Sequence, residues 1–354
     1  MEARTDAARR YLGAVNIAVV VTGGLSEVLQ ATPLLRTLRS GLPQARLVLL
    51  CPSAASTIAE GIPAADAVLP MAGLDGPGGG GGAAQVWALL RRERLDAVVL
   101  CTSRAAIRIA AYLAAVPARV GPGDGATAVL LSHRVPAPAE ENRAAIWLRA
   151  AAALKISQQL HAPAFEPGPE ARHLADRLVH GSGFADGRLL VALTPGTGFA
   201  EAGAIPAELT GWEPERYAYL ANQLAVRHGA GIVILGAPTD RSAVERARVD
   251  LGASATDLSG EVDMRIIAGV LARCDLLVGG DTPLLHLAAA MGTPVVGLFG
   301  PTDGRIAGPY GRDHRVVQAL AGPSGNRHQR RPPGWSPMEQ IRVEDVLAGI
   351  EAAL

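Results

Sequence analysis

Short apolar runs alternate along the chain with segments whose apolar residues recur every three or four positions. Asn16–Val21, Arg46–Cys51 and Asp96–Cys101 in the first half are apolar along nearly their whole length. So are Leu189–Thr194, Gly231–Leu235, Asp275–Val278 and Pro294–Phe299 in the second. Strands of this kind are buried on both faces, which requires helices above and below the sheet. Helical periodicity fills the intervals, at Val28–Ser40, Gln85–Arg94, Arg104–Ala114, Pro214–His228, Ser242–Leu251 and Arg265–Arg273. The alternation predicts parallel α/β sheets.

It pauses between His133 and Gly187, where an Ala-rich helix, Glu140–Leu160, and the Pro-rich Ala162–Pro169 precede a further helix. The pause divides the chain into residues 1–165 and 166–354, two α/β halves. A last helix, Val343–Ala353, is free to return to the first half. The carboxyl ends of parallel strands, in a cleft between two such halves, are the expected ligand site. The run Gly78–Gly82 predicts a mobile loop. Ala321–Pro337, rich in Gly, Pro, Arg and His, predicts an irregular one.

Composition narrows the function. The 354 residues suit two domains. With 33 basic and 33 acidic residues, the chain has no global attraction for nucleic acid. Aromatic residues are only 4%, too few for base-stacking platforms. Cys51, Cys101 and Cys274 are odd in number and far apart, so a reduced, cytoplasmic setting is expected rather than a disulfide framework. No apolar run is long enough to cross a bilayer. His-x-x-x-His, clustered Cys and Asp-x-Asp are all absent, so no metal site is expected, and no Gly-x-Gly-x-x-Gly follows the first strand.

The chemistry concentrates in Gly279–Thr302. A strand ends at two glycines, Asp281 or Thr282 can cap the next helix, and Pro283 sits where a first-turn proline is tolerated. Such a helix start offers unpaired N–H groups to a diphosphate, with His286 one turn in. The plainer alternative is a well-capped helix packing small residues on a sheet. Glu27, after the Gly23-Gly24 turn, is a candidate general base; otherwise it is a carboxylate stabilised by a helix dipole.

These residues resemble glycosyltransferase family 9, whose heptosyltransferases use ADP-heptose. The family pattern Asp-Thr-Gly-x-x-His-Leu-Ala-Ala-Ala and a later Phe-Gly-Pro-Thr is similar to Asp281, Thr282, Pro283, His286, Leu287–Ala290 and Phe299–Thr302. Ser26–Leu38 resembles the family's Gly-Asp-Val and Pro-x-x-x-x-Leu helix. Thr194–Gly198 is similar to its His-Pro-Gly-Ala-Ser turn, and Leu235–Asp240 to its Gly-Gly-Pro-x-Glu segment. The four matches share the family's order. The resemblance implies the GT-B fold, two Rossmann-like domains with parallel sheets facing an interdomain cleft.

It further implies an inverting, metal-independent transfer of heptose or a related sugar from an ADP-sugar, with no cofactor. Glu27 falls where the family carries a catalytic Asp. Thr197, Gly198, Asp240, Gly260, Asp281, Thr282 and His286 fall on the donor side. Asp240 stands for a ribose-binding Glu, or is a loop-to-helix cap; Leu258-Ser259-Gly260 resembles the loop beside the adenine, or is a plain turn. Arg104 and Arg108 are acceptor-side candidates, or a solvated helix face. The carbohydrate acceptor is either lipopolysaccharide inner core, with peripheral membrane contact, or a small intermediate such as an aminocyclitol. The chain departs from the family in Glu27 for Asp, Ser26 for Gly and Pro283 for Gly. It also lacks any basic residue in Phe199–Pro214, where the family places a phosphate-contacting Lys. A non-catalytic nucleotide-sugar-binding protein is the alternative from another class, and a nucleotide-sugar epimerase a third reading.

Overall fold

The computed structural model describes residues 15–73, 80–157, 159, 161–181, 183–184, 187–199, 207–260, 263–319 and 336–354. The chain forms two compact units, Met1–Ala164 and Phe165–Leu354. The first is built on β1 (Asn16–Val21), β2 (Arg46–Pro52), β3 (Ala67–Met71), β4 (Ala97–Cys101), β5 (Ala118–Pro122) and β6 (His133–Val135). They lie in the order β3-β2-β1-β4-β5-β6, every pairing parallel. The second holds β7 (Leu190–Thr194), β8 (Gly231–Ile234), β9 (Ala255–Asp257), β10 (Leu276–Gly280), β11 (Val295–Phe299) and β12 (His314–Gln318). Their order is β12-β11-β10-β7-β8-β9, again parallel throughout.

The two orders are the same pattern. In each unit the first strand is central, the next two extend to one side, and the last three extend to the other. Connections therefore reverse direction between β1 and β4, and between β7 and β10. At such a point the loops leaving adjacent strand ends part to opposite faces and open a crevice.

Hydrophobic burial holds each sheet. One face of the first carries Leu34, Leu35, Leu38, Ile146, Trp147 and Ala151; the other carries Val86, Leu90, Ile107, Ala110 and Ala111. In the second unit Tyr217, Leu220 and Leu224 pack on β7 and β8 residues, with Val346, Leu347 and Ile350. The helix Val343–Glu351 packs against β11 and β12 in the second unit. Its apolar stripe matches that sheet face.

Other expectations are corrected by local chemistry. The helix expected over Val28–Ser40 is two, Leu25–Gln30 and Thr32–Gly41, interrupted at Ala31. Pro33 has no N–H for the Leu29 carbonyl, and the Thr32 hydroxyl donates to it instead at 2.7 Å. The Glu140–Leu160 helix shortens to Arg143–Ala153, its start fixed by the Asn142 side chain accepting from the Ala144 N–H at 3.0 Å. Gly80–Gly82 begin the helix Gly80–Arg92 rather than a mobile loop; Gly78 and Gly79 lie outside the described residues. Burial of Val86 and Leu90 outweighs the poor helix propensity of glycine. The Arg327, His328, Arg330, Arg331 group of the expected irregular segment also lies outside them. No helix among the described residues is long and apolar enough to cross a membrane.

Candidate functional site

In the first unit the chain leaves β1 through Thr22, Gly23 and Gly24. The Thr22 hydroxyl donates to the Thr102 hydroxyl at 2.8 Å, tying the carboxyl end of β1 to that of β4 across the point of reversal. Gly24 precedes the helix Leu25–Gln30 in extended conformation, which places Glu27 in the first turn. There the helix dipole favours its negative charge. The carboxylate folds back over Gly23, where a Cβ would overlap it. Arg143, first residue of its helix, donates to Glu27 Oε1 at 2.8 Å. The arginine side chain is 51% exposed and the glutamate 21%. Glu27 also lies close to Cys101: burial first, and then the charge of Glu27, pushes that thiol well up. The carboxylate therefore sits at the crevice of the first sheet.

The two acceptor-side arginines part company. Arg104 is exposed at the start of the helix Ala105–Leu113. Arg108 is 1% exposed and donates to the carbonyls of Pro122 and Asp124 and to the Asp124 carboxylate. These bonds hold the loop after β5. The Ser103 hydroxyl and Arg108 together hold the Asp124 carboxyl below its ordinary range, against the opposing effect of partial burial.

In the second unit the donor-side residues follow successive strands. Thr197 and Gly198 follow β7, Asp240 follows β8, Gly260 follows β9, and Asp281 and Thr282 follow β10. Parallel pairing puts all of these loops on one sheet edge. Asp240 is buried, with Oδ1 accepting from the Gly198 N–H at 2.6 Å and Oδ2 from the Ala237 N–H at 2.8 Å. It clamps the loops after β7 and β8 together. The Gly198 N–H is spent in the same clamp and is not available to a phosphate. Gly196 and Gly198 are needed there, since a Cβ at either would overlap the Asp240 carboxylate. Gly260 takes φ +96° with open space beside it, and its N–H donates to the Gly236 carbonyl at 2.9 Å. The loop after β9 is thereby tied to the loop after β8.

The helix Pro283–Met291 starts at the end of β10. Thr282 precedes it in extended conformation with no side-chain cap, and Pro283 occupies the first position. The Thr282 hydroxyl is buried without a hydrogen-bond partner, as is that of Thr194 at the end of β7. Buried unpaired hydroxyls are uncommon in folded proteins. Asp281 accepts from the Thr302 hydroxyl at 2.7 Å, which joins the loops after β10 and β11. His286 is buried one turn into the helix. Arg305 is paired with Asp303 at 2.7 Å. Among the described residues no group of three or more His, Cys, Asp or Glu is placed to hold a metal ion.

Arg143 was not singled out by the sequence, and Thr194 and Thr302 were named only as members of motifs, with no role of their own. Arg143 lies 116 positions from Glu27, and no periodicity reports a pairing at that range. Thr194 and Thr302 flank turns that were recognised, so their nearness to the site was readable in outline.

Comparison with known proteins gives one family. The model of glycosyltransferase family 9 (heptosyltransferase) matches residues 84–333. Lipopolysaccharide heptosyltransferase 2 of Salmonella typhimurium is 24% identical over 321 residues, covering 87% of this chain and 89% of that protein. A crystal structure of a family 9 glycosyltransferase from Veillonella parvula superposes with a TM-score of 0.78 at 20% identity, over 96% of this chain and 97% of that one. The structure of the ADP-heptose lipopolysaccharide heptosyltransferase II of E. coli gives 0.71 at 20% identity, over 96% and 98%.

Proposed function

This chain belongs to glycosyltransferase family 9, the heptosyltransferases, with the paired Rossmann-like units of the GT-B fold, and from that premise we propose an inverting, metal-independent transfer. A heptose, or a closely related sugar, passes from its ADP conjugate to a hydroxyl of a carbohydrate acceptor. The observation that carries this reading is the Glu27 carboxylate, fixed at the crevice of the first sheet by Arg143 and by the space over Gly23.

The reaction is one displacement. Glu27 takes the proton of the acceptor hydroxyl as its oxygen bonds to the anomeric carbon. The bond from that carbon to the diphosphate oxygen breaks, and ADP leaves with the electron pair. The acceptor enters opposite the leaving group, so the anomeric configuration inverts. The transition state carries oxocarbenium character, as at other glycosyl centres. Charge on the departing diphosphate is met by the start of the Pro283–Met291 helix and by the unpaired Thr282 hydroxyl. Asp281 and Asp240 act by fixing loops. Lipopolysaccharide inner core is the acceptor read for this chain, because the curated relatives carry lipopolysaccharide in their names.

The test is a mass-spectrometric donor screen, ADP-heptose against UDP-, GDP- and dTDP-sugars, with a core saccharide or an aminocyclitol as acceptor and with chelator present. Transfer from the ADP-sugar to the core saccharide, lost in Glu27→Ala, is expected. Equal rates in wild type and Glu27→Ala overturn the role of Glu27. ADP binding without turnover of any donor overturns the enzymatic reading in favour of a nucleotide-sugar-binding protein.

A further inference from the structure

A buried arginine of the first unit serves an exposed loop. Arg108 is 1% exposed, and its guanidinium turns from the helix Ala105–Leu113 to the loop after β5. It donates to the Pro122 carbonyl at 2.7 Å, to the Asp124 carbonyl, and to Asp124 Oδ1 at 3.1 Å. Its Nε is buried with no partner among the described residues. A buried cation with an unmet N–H costs stability, and an apolar side chain of similar size would carry no such penalty. What the arginine secures is the place of one side chain, Asp124.

Asp124 is open to approach. Gly123 and Gly125 flank it, so no adjacent side chain screens it. Gly125 holds φ +73°, a conformation other residues adopt only under strain. The Ser103 hydroxyl donates to Oδ1 at 2.7 Å, so this bond and that from the Arg108 side chain fall on one oxygen and neither occupies Oδ2. The Asp124 side chain is 52% exposed. Against the desolvation of partial burial, the bonds from Ser103 and Arg108 hold the carboxyl below its ordinary range, so it is charged at neutral pH. An exposed ion pair adds little to stability, whereas a charged group locked from behind and open in front is how binding groups are mounted.

The loop belongs to the crevice of the first sheet. β1, β4 and β5 are consecutive and parallel. Glu27 follows β1, Ser103 follows β4 and Asp124 follows β5, all on the carboxyl edge. The buried Thr22–Thr102 bond joins the roots of the first two loops. Strand spacing sets the roots of the Glu27 and Asp124 loops about 10 Å apart. Asp66 and Glu93 differ, because they precede β3 and β4 on the opposite edge and are paired with Arg39 and Arg46.

We propose that Asp124 binds the acceptor: Oδ2 takes a hydrogen bond from one hydroxyl of the acceptor saccharide while another hydroxyl of the same molecule meets Glu27. This rests on the transfer reading above and adds the chemistry of the acceptor. The part lying over β5 offers a hydroxyl donor and bears no carboxylate or phosphate, since either would face the charge of Asp124.

The experiment is an NMR titration of the full chain with an inner-core saccharide, without donor, alongside steady-state kinetics with ADP-heptose. Asp124→Ala and Asp124→Asn suit it, because both keep the backbone carbonyls to which Arg108 donates. In Asp124→Ala the saccharide Kd should rise about tenfold or more, the worth of one hydrogen bond to a charged group. The acceptor KM should rise with it, while the donor KM and the hydrolysis of donor without acceptor stay at the wild-type values. Asp124→Asn keeps a neutral acceptor oxygen and should show a smaller rise; it decides the question if the alanine variant is destabilised. An unchanged saccharide Kd in both variants, a donor KM that shifts equally, or no saccharide binding by wild type overturns the proposal. Transfer with unchanged saccharide affinity removes Asp124 alone. Saccharide binding that depends on Asp124, without turnover of any donor, supports Asp124 and removes the transferase reading.

Discussion

Arg143 and Glu27 lie 116 positions apart in the chain and meet at 2.8 Å. The glutamate alone has several rotatable bonds; the arginine selects one of its orientations. We expect Arg143→Met to lower kcat about tenfold, part of the hundredfold or more that a positioned base supplies, with Arg143→Lys recovering some of the loss. The KM for the donor should stay unchanged. Steady-state kinetics decide this: an unchanged or faster rate would make the arginine a bystander or a competitor for the carboxylate.

Gly23 offers a second way to move the same carboxylate. A methyl group there would meet the Glu27 side chain first, at Cδ, Oε2 and Cγ. Gly23→Ala should therefore displace the carboxylate at little cost to the fold, and kcat should fall about as far as in Glu27→Gln. Paired measurements of kcat and thermal unfolding check it; a large drop in the midpoint would locate the damage in folding instead.

Asp240 clamps two loops through the Gly198 and Ala237 N–H groups. Asparagine presents only one acceptor oxygen, so one buried N–H would lose its partner. Asp240→Asn should cost about 1–3 kcal/mol of stability. It should weaken ADP binding through the loosened loop after β7. Urea unfolding and titration calorimetry with ADP give the two readings.

The Thr282 hydroxyl is buried and unpaired without a ligand. Thr282→Val removes a group already lacking its bond, so stability should hold or rise slightly. ADP affinity should fall about fivefold to tenfold, the worth of one net hydrogen bond near 1 kcal/mol. A destabilised variant that binds ADP normally would show the hydroxyl to be structural.

Burial holds the His314 imidazole below its ordinary pKa, as does the charge of Arg315. Asp313 and the Tyr310 backbone act in the opposite sense, and less strongly than burial. A histidine lowered on folding is neutral in the native state, while the unfolded chain protonates near pH 6.5. Stability is therefore complete above that value and declines as pH falls from it toward the folded pKa. His161 is lowered too, so the fair comparison is with a variant. His314→Gln should flatten part of the slope of urea-unfolding free energy between pH 7 and 5.

The elements legible in the sequence were those whose physics is local and complete. β1, β2, β4, β7, β8, β10 and β11 are interior to their sheets, and their unbroken apolar runs report it. β3, β6, β9 and β12 are edge strands and largely half-exposed; β6 and β9 have only three residues, polar residues interrupt β12, and β3 carries Pro70 in its apolar run. β5 is interior but only partly buried along its first residues, and was likewise missed. The same divide runs through the site. Asp281, Thr282 and Glu27 stand out in the sequence because turns and helix starts are local. The pairing of Arg108 was not legible because its partners, Pro122 and Asp124, come from the end of another strand and the loop after it. Asp240 was readable as a cap, and its hold on Gly198 follows from loop proximity that only the fold supplies.

The position of β1, β4, β7 and β10 inside their sheets also orders the molecule in time. An edge strand can fray by losing one neighbour, whereas these four must lose neighbours on both sides before their amides meet solvent. Hydrogen exchange should accordingly be slowest at the roots of the loops that carry Glu27, Thr197 and Asp281. Thermal breathing at the rims of either sheet would then leave those loops anchored.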